Sequence, residues 1–190
     1  MLWDLDQQGG VGFLLGATRR KTARALAMFY CDSRPRDLIE PTRFDRLHLL
    51  QADESLRAGY RRIVLDCPPM LNEVSDQIIA AADIILLPLP PSSLAARALD
   101  QLRNELARYH KGHPPILPVL SMYDPRRTLH REVHEGAAKG WRVIPQSSHV
   151  EQMATRCEPL PAHANWSDAS RAMGRLCSAV EMELLEQGRT

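Results

Sequence analysis

The sequence lacks paired cysteines, a strong net charge and a long apolar run. Its four cysteines form no C-x-x-C pair and no zinc-ligand spacing, so we expect thiols that stay reduced in a cytosol. The net charge is only +1, so a contact with nucleic acid must come from a local basic patch rather than a basic body. No apolar run approaches the roughly 18 residues of a membrane span, and we expect no membrane partner.

Internal repeats, low-complexity linkers and a Ser-His-Asp arrangement are also absent, and the seven histidines are scattered. The 190 residues, 44% of them hydrophobic, suit one domain with a sizeable core. We therefore interpret residues 1–190 as a single domain.

A short apolar run at residues 61–69, RRIVLDCPP, ends in a carboxylate and two prolines. Such a run predicts a buried parallel strand that the prolines terminate. Asp66 then lies at the carboxyl end of the strand, where open α/β sheets bind ligands and where a carboxylate can serve a nucleotide's Mg²⁺. An aspartate that caps a turn is the alternative interpretation.

The following residues extend the same pattern. Residues 70–82 have helical spacing and residues 83–90 form a second apolar run ending in prolines, which together predict a right-handed β-α-β unit. Residues 92–109 predict an amphipathic helix with Leu94, Ala98, Leu102 and Leu106 on its apolar stripe. Further predicted elements are strands at 1–6, 47–52, 116–124 and 141–145, and helices at 17–30, 150–154 and, after a cap at Ser167 or Ser170, up to Leu185.

Residues 61–102, RRIVLDCPPMLNEVSDQIIAAADIILLPLPPSSLAARALDQL, resemble the Walker B region of the ParA/MinD family of deviant Walker ATPases. The resemblance implies a doubly wound, mostly parallel α/β sheet flanked by helices. It implies plasmid or chromosome partitioning, or positioning of another cargo, by a cytoplasmic, nucleoid-associated homodimer. Mg²⁺ and ATP would lie between the subunits, the dimer would bind non-specific DNA, and a ParB-like partner would stimulate hydrolysis.

The resemblance also assigns roles to carboxylates. Asp66 would hold Mg²⁺ through water. The opening segment, residues 1–12, resembles the family's D-x-D-P-Q-G segment with Gln7 in place of proline. Asp6 would position the water that attacks the γ-phosphate, and Asp4 would lie near the metal ion and the nucleotide. Two exposed carboxylates at a strand end are the alternative.

The segments near residues 122 and 145 resemble the family's N-M-Y-D and V-I-P-R strand ends, which places Met122 and Pro145 near the nucleotide. Arg126, Arg127 and Arg131 follow the first of these strands, and we interpret them as DNA-phosphate contacts, with a solvated helix start as the alternative. Gln146 and His149 replace family arginines, which leaves fewer phosphate donors.

The family's phosphate loop, K-G-G-V-G-K-T, has only a superficial counterpart at residues 9–12. Gln8, Phe13 and Leu14 stand where the two lysines and the threonine would be, and the sequence contains no Gly-Lys dipeptide. We therefore expect the family's first strand, phosphate loop and first helix to be missing upstream of Met1. Their loss would leave a slot in the sheet. A truncated or mis-started reading frame and a degenerate relative both account for this.

Negligible ATPase activity is the expectation for this polypeptide, because it carries no phosphate-binding lysine. The alternative function is a degenerate, non-catalytic relative that acts only as an interaction protein. Two other branches of the superfamily are disfavoured. An iron–sulfur reductase would need a matching cysteine pair, and an ATP-dependent amide-forming enzyme would need a glutaminase module; the sequence contains neither.

Overall fold

A computed structural model describes residues 2–4, 10–15, 39–41, 48–50, 61–67, 78–109 and 112–188. The chain divides into two compact units, Met1–Met70 with Gln152–His163, and Leu71–Glu151 with Ala164–Thr190. The first unit contains a four-stranded sheet and the second a three-stranded sheet. Mostly parallel strands and flanking helices confirm the predicted doubly wound α/β class.

The sheet of the first unit has the strand order β2-β3-β1-β4. Its strands are β1 (Leu2–Asp4), β2 (Ile39–Pro41), β3 (His48–Leu50) and β4 (Val64–Asp66). β1 pairs in parallel with β3 and β4, whereas β2 pairs antiparallel with β3. The strands predicted near residues 2, 48 and 64 are therefore present, and β2, too short to show a period, was not predicted.

Two sequence predictions for the first unit need correction. The strand that ends at Asp66 is parallel but not fully buried, because Val64 is 54% exposed. Among the described strands, β4 pairs only with β1 and so lies at the edge of its sheet. The predicted glycine-rich loop gives way at Gly10 to a short helix, α1 (Gly10–Leu14). The helix predicted at residues 17–30 lies outside the described residues.

The sheet of the second unit is parallel, with the order β5-β6-β7. Its strands are β5 (Ile85–Leu89), β6 (Ile116–Tyr123) and β7 (Arg142–Pro145). Because β4 and β5 belong to different sheets, the β-α-β unit predicted to join them in one sheet is not formed by the described strands. Residues 78–81 are helical as predicted, and residues 68–77 lie outside the described part.

Helices cover both faces of the second sheet. They are α2 (Ala95–Tyr109), α3 (Thr128–Glu135) and α6 (Asp168–Glu186), and the chain also forms α4 (Ser148–Arg156) and α5 (Leu160–Ala164). Leu120 of β6 packs with Val133 of α3, and Leu89, its register partner on β5, packs with α2. Val119, which points to the opposite face, packs with Ala172 of α6.

The buried stripe of α2 differs from the predicted one. Ala95, Leu99 and Leu106 are buried, whereas Leu94 is 64% exposed. The predicted stripe advanced by four residues at every step, and a helix of 3.6 residues per turn drifts away from that spacing. The observed spacing of four, three and four residues, with Leu102 half-buried, follows the helix period.

The last helix forms as predicted. Ser167 is its N-cap and its side-chain oxygen accepts the backbone N–H of Ser170 over 3.2 Å. Ala172 and Leu184 of the predicted stripe are buried, and Leu176 packs against the same core. The cap fixes the start of a helix whose apolar face covers the second sheet.

Candidate functional site

Two carboxylate residues end neighbouring strands of the first sheet. Asp4 is the last residue of β1 and Asp66 the last residue of β4, and their Cα atoms are register partners in the parallel pair. Both residues therefore lie at the carboxyl ends of the strands, the side of the sheet where open α/β folds bind ligands. Asp6, assigned to the attacking water, lies outside the described residues and stays a prediction.

Cys67 directly follows Asp66 and is a free thiol. Its Sγ donates weakly to the carbonyl oxygen of Leu65 over 3.8 Å. Partial burial, and to a smaller extent the negative charge of Asp66, raise the pKa of the Cys67 thiol above its ordinary value. Because the thiolate is the nucleophile and the metal ligand, the raised pKa disfavours both roles for this cysteine.

Met122 and Pro145, both assigned to the nucleotide, lie at the carboxyl ends of adjacent strands in the second unit. The β6–β7 register shifts between Leu120 and Tyr123, and Tyr123 pairs with Pro145. The backbone N–H of Gln146 donates to the Tyr123 carbonyl over 2.8 Å. Met122 adopts a left-handed φ of 57° and is 57% exposed. A non-glycine residue in that conformation costs about 1–3 kcal/mol, and Met122 lies within the register shift between Leu120 and Tyr123.

The loop after β6 contains an ion pair that sequence reasoning missed. The Arg126 side chain donates through Nε to Asp124 Oδ1 and through Nη2 to Asp124 Oδ2, each over 2.9 Å. The Arg126 backbone N–H also donates to Oδ1, over 3.0 Å. The side-chain hydrogen bonds and then the backbone bond lower the pKa of Asp124 to about 2, and the pair raises the pKa of Arg126. An Asp-x-Arg spacing after a strand was the available signal.

His130 of α3 holds the same loop through a hydrogen bond. Its ring is buried, and Nδ1 accepts the backbone N–H of Asp124 over 3.0 Å. Because Nδ1 accepts, the ring in this arrangement is neutral, with its proton on Nε2. The ring centroid of Tyr123 lies 6.2 Å from that of His130 and 5.2 Å from that of His134, one helical turn further on.

The other two predicted DNA contacts differ from Arg126. Arg131 donates to the carbonyl oxygen of Pro125 over 2.8 Å and to Thr128 Oγ1 over 3.3 Å, both neutral acceptors. Arg127 is exposed at the N-cap of α3, and none of the described residues pairs with its guanidinium. The structure thus brings the three arginines together on one short segment, with one of them neutralised internally.

The replaced arginine positions lie near the end of β7. Gln146 is exposed, and His149 packs edge-on against Trp166 with ring centroids 5.0 Å apart. Trp166 itself is 65% exposed. At the position of the second replaced arginine, the side chain therefore makes an aromatic contact with Trp166.

Comparison with known proteins finds relatives among partitioning ATPases. A family model described as an AAA domain matches residues 36–118. The chromosome-partitioning ATPase Soj of Thermus thermophilus is 26% identical over 98% of the chain and 84% of its own length. The chromosome partitioning protein ParA of Caulobacter vibrioides is 32% identical over 59% of the chain and 46% of its own length. These comparisons support the resemblance to ParA/MinD-type ATPases.

Solved MinD structures share the fold. The cell division ATPase MinD of Pyrococcus furiosus superposes with a TM-score of 0.76 at 20% identity, covering 95% of the chain and 85% of that protein. The septum site-determining protein MinD of Pyrococcus horikoshii, complexed with Mg-ADP, superposes with a TM-score of 0.73 at 18% identity, covering 94% and 82%. These likenesses confirm the ParA/MinD-type fold.

The chain spans different shares of the lengths of its relatives. It covers 84% of the Thermus thermophilus Soj but only 58% of the Myxococcus xanthus ParA. No helix in the described ranges combines the length and apolarity needed to cross a bilayer.

β1 and β4 each end in an aspartate, a residue type that can serve a magnesium ion bound with a nucleotide. A carboxylate supplies the hard oxygen that Mg²⁺ prefers, and Mg²⁺ bound with a nucleotide takes only one or two carboxylates from the protein. Within the described ranges, no cluster of three or more His, Cys, Asp or Glu residues could hold a metal ion by itself.

Proposed function

We propose that this chain is a ParA-like partitioning protein, which binds Mg·ATP, forms a homodimer on non-specific DNA and responds to a ParB-like partner. The supporting observation is the register pairing of Asp4 with Asp66 at the carboxyl ends of two parallel strands. This is where the sheets of nucleotide-binding α/β proteins present ligands. The chromosome-partitioning roles of the Soj and ParA relatives point to the same function.

In this proposal Asp66 holds Mg²⁺ through water and Asp4 lies beside the metal ion and phosphates. When bound, Mg²⁺ would supply the positive charge that offsets the charge of the β- and γ-phosphates. Asp6, two residues beyond Asp4, orients the attacking water. Met122 and Pro145 contact the base. The exposed thioether of Met122 suits an apolar contact with a flat ring.

A non-catalytic interaction protein is the second candidate function. The observation in its favour is the absence of any Gly-Lys dipeptide, and so of a phosphate-loop lysine, from the 190 residues. Without a lysine on the β- and γ-phosphates, we expect negligible ATP turnover by the 190-residue polypeptide. Measurable turnover that Asp66→Ala abolishes would contradict this expectation.

Mg²⁺-dependent ATP binding separates the two candidates. The binding of a fluorescent ATP analogue is measured with Mg²⁺ and with EDTA, for the wild type, Asp66→Asn and the matched control Asp100→Asn on the exposed face of α2. The proposal predicts Mg²⁺-dependent binding that Asp66→Asn weakens by about tenfold or more and that Asp100→Asn leaves unchanged. No binding, or binding insensitive to Asp66→Asn, would favour the interaction protein.

A further inference from the structure

The donors of Arg126 are already occupied in the way that a phosphate would occupy them. Its Nε and Nη2 groups reach the two carboxylate oxygens of Asp124, both over 2.9 Å. Two parallel N–H···O bonds from one guanidinium are also the geometry with which arginine binds phosphate. Asp124 therefore occupies the two N–H donors of Arg126 that a phosphate of a nucleic acid would need.

Asp124 is the fixed member of this pair. Its backbone N–H donates to His130 Nδ1 over 3.0 Å, and its carbonyl oxygen accepts the Arg127 N–H over 3.1 Å. The Asp124 side chain is 13% exposed, whereas the Arg126 side chain is 88% exposed. A long exposed side chain can rotate away from a carboxylate that the loop holds in place. Arg126 is thus the partner that can change its contact.

The surroundings of the pair are positive. Arg131 donates to the neutral oxygens of Pro125 and Thr128, which leave its charge uncompensated. Arg127, the residue directly after Arg126, is exposed. The first turn of α3 contains no acidic residue. On this segment Asp124 is therefore the internal anion that lowers the positive charge facing the solvent.

We propose that Asp124 is an internal competitor for Arg126, so that DNA binding exchanges the Asp124 carboxylate for a phosphate of the DNA backbone. This inference rests on the DNA binding in the proposed function and adds its regulation. In the free protein, Arg126 pairs with Asp124 and only Arg127 and Arg131 attract DNA. On DNA, Arg126 rotates to a phosphate, while Oδ1 of Asp124 keeps the backbone N–H of Arg126. Asp124 thereby weakens non-specific binding and keeps it reversible.

Asp124→Asn tests the competition because it removes the charge but retains an oxygen that can accept the Arg126 N–H. Binding to a fluorescently labelled DNA duplex of mixed sequence is measured by anisotropy with Mg·ATP, over a series of salt concentrations. We expect the variant to bind about twofold to fivefold tighter than the wild type. The slope of log K against log salt should steepen by about 0.9, the value for one additional phosphate contact.

Two controls separate this exchange from a general loss of negative charge. Glu132→Gln, at an exposed position on α3, changes the net charge equally and should give a smaller gain. In the double variant Asp124→Asn/Arg126→Gln the gain should disappear, because the released arginine is absent. Asp124→Ser, whose hydroxyl can accept the same N–H, replaces Asp124→Asn if thermal melting shows that the asparagine variant does not fold.

The outcomes distinguish the inference from the proposed function. If the wild type binds DNA and Asp124→Asn binds with the same affinity and salt slope, the competition is overturned and DNA binding stands. A gain that persists without Arg126 also overturns it, since the gain is then only electrostatic. If neither protein binds DNA, the DNA-binding part of the proposed function is itself refuted, and the inference with it.

Discussion

The buried imidazole of His130 accepts the backbone N–H of Asp124 through Nδ1, and this contact joins helix α3 to the loop after β6. His130→Leu would leave that N–H without its partner, at a cost of about 1–3 kcal/mol in the free energy of unfolding. Urea denaturation measures the change. The matched control is His134→Leu, since the His134 ring also faces Tyr123 but accepts no hydrogen bond from a described residue. Equal losses in the two variants would show that aromatic packing, not the hydrogen bond, is responsible.

The N-cap of α6 gives a second prediction. Ser167 is buried and accepts the N–H of Ser170, so Ser167→Ala should lower the free energy of unfolding by about 1 kcal/mol. The exposed Ser178 lies inside the same helix and donates to the Gly174 carbonyl. Ser178→Ala should be neutral or slightly stabilising, because alanine is the better helix former. Thermal melts of both variants decide the point, and similar behaviour would be inconsistent with a cap.

The titration of Asp124 gives a pH dependence. Hydrogen bonds from Arg126 lower the pKa of Asp124 from an ordinary value of 3.8 to about 2. Because the folded-state pKa is below the unfolded one, the ionised pair stabilises the fold above about pH 4, and this contribution is lost as the pH falls from about 4 to about 2. The difference in unfolding free energy between the wild type and Asp124→Asn should therefore be constant above pH 5 and diminish over that range. A difference independent of pH would contradict the ion pair.

Glycine substitutions at Cys157, after the end of α4, and at Cys177, inside α6, should change the stability in opposite directions. Cys157 follows α4 with a φ of 50°, and Glu158 N–H donates to the Met153 carbonyl over 3.3 Å. Glycine favours this left-handed position, so Cys157→Gly should stabilise the protein by about 0.5–1 kcal/mol. Cys177→Gly, in the middle of α6, should destabilise it by about 1 kcal/mol. Chemical denaturation checks both, and the same sign for the two variants would contradict the conformation of Cys157.

Local patterns predicted some elements correctly and failed for others. The strand ending at Tyr123 and the helix after Ser167 follow from an apolar run and from a cap with a helical stripe, both contained within the segment. The first half of the buried face of α2 was misplaced by one residue, because the predicted stripe advanced by four residues at every step and did not follow the helix period. β2 is three residues long and exists through its pairing with β3, which a local pattern does not contain.

The candidate site divides in the same way. The position of Asp66 at the end of a strand and the clustering of Arg126, Arg127 and Arg131 could be predicted, because both depend on neighbouring residues. The sequence suggested three equivalent phosphate contacts. The structure distinguishes them, because loop geometry pairs Arg126 with Asp124 and directs Arg131 to neutral oxygens.

By itself, the sequence determined the ParA/MinD resemblance, the α/β class and the carboxylate that ends β4, since these follow from apolar runs, turn residues and motif spacing. Only the tertiary structure decided that Asp4 is the register partner of Asp66, and that His130 holds the loop on which Asp124 pairs with Arg126. The physical reason is that the register of Asp4 with Asp66 joins two segments that are distant in the sequence, so that no local pattern contains it. The Asp124–Arg126 pair is close in sequence, but it forms only in the loop conformation that the tertiary contact with His130 holds.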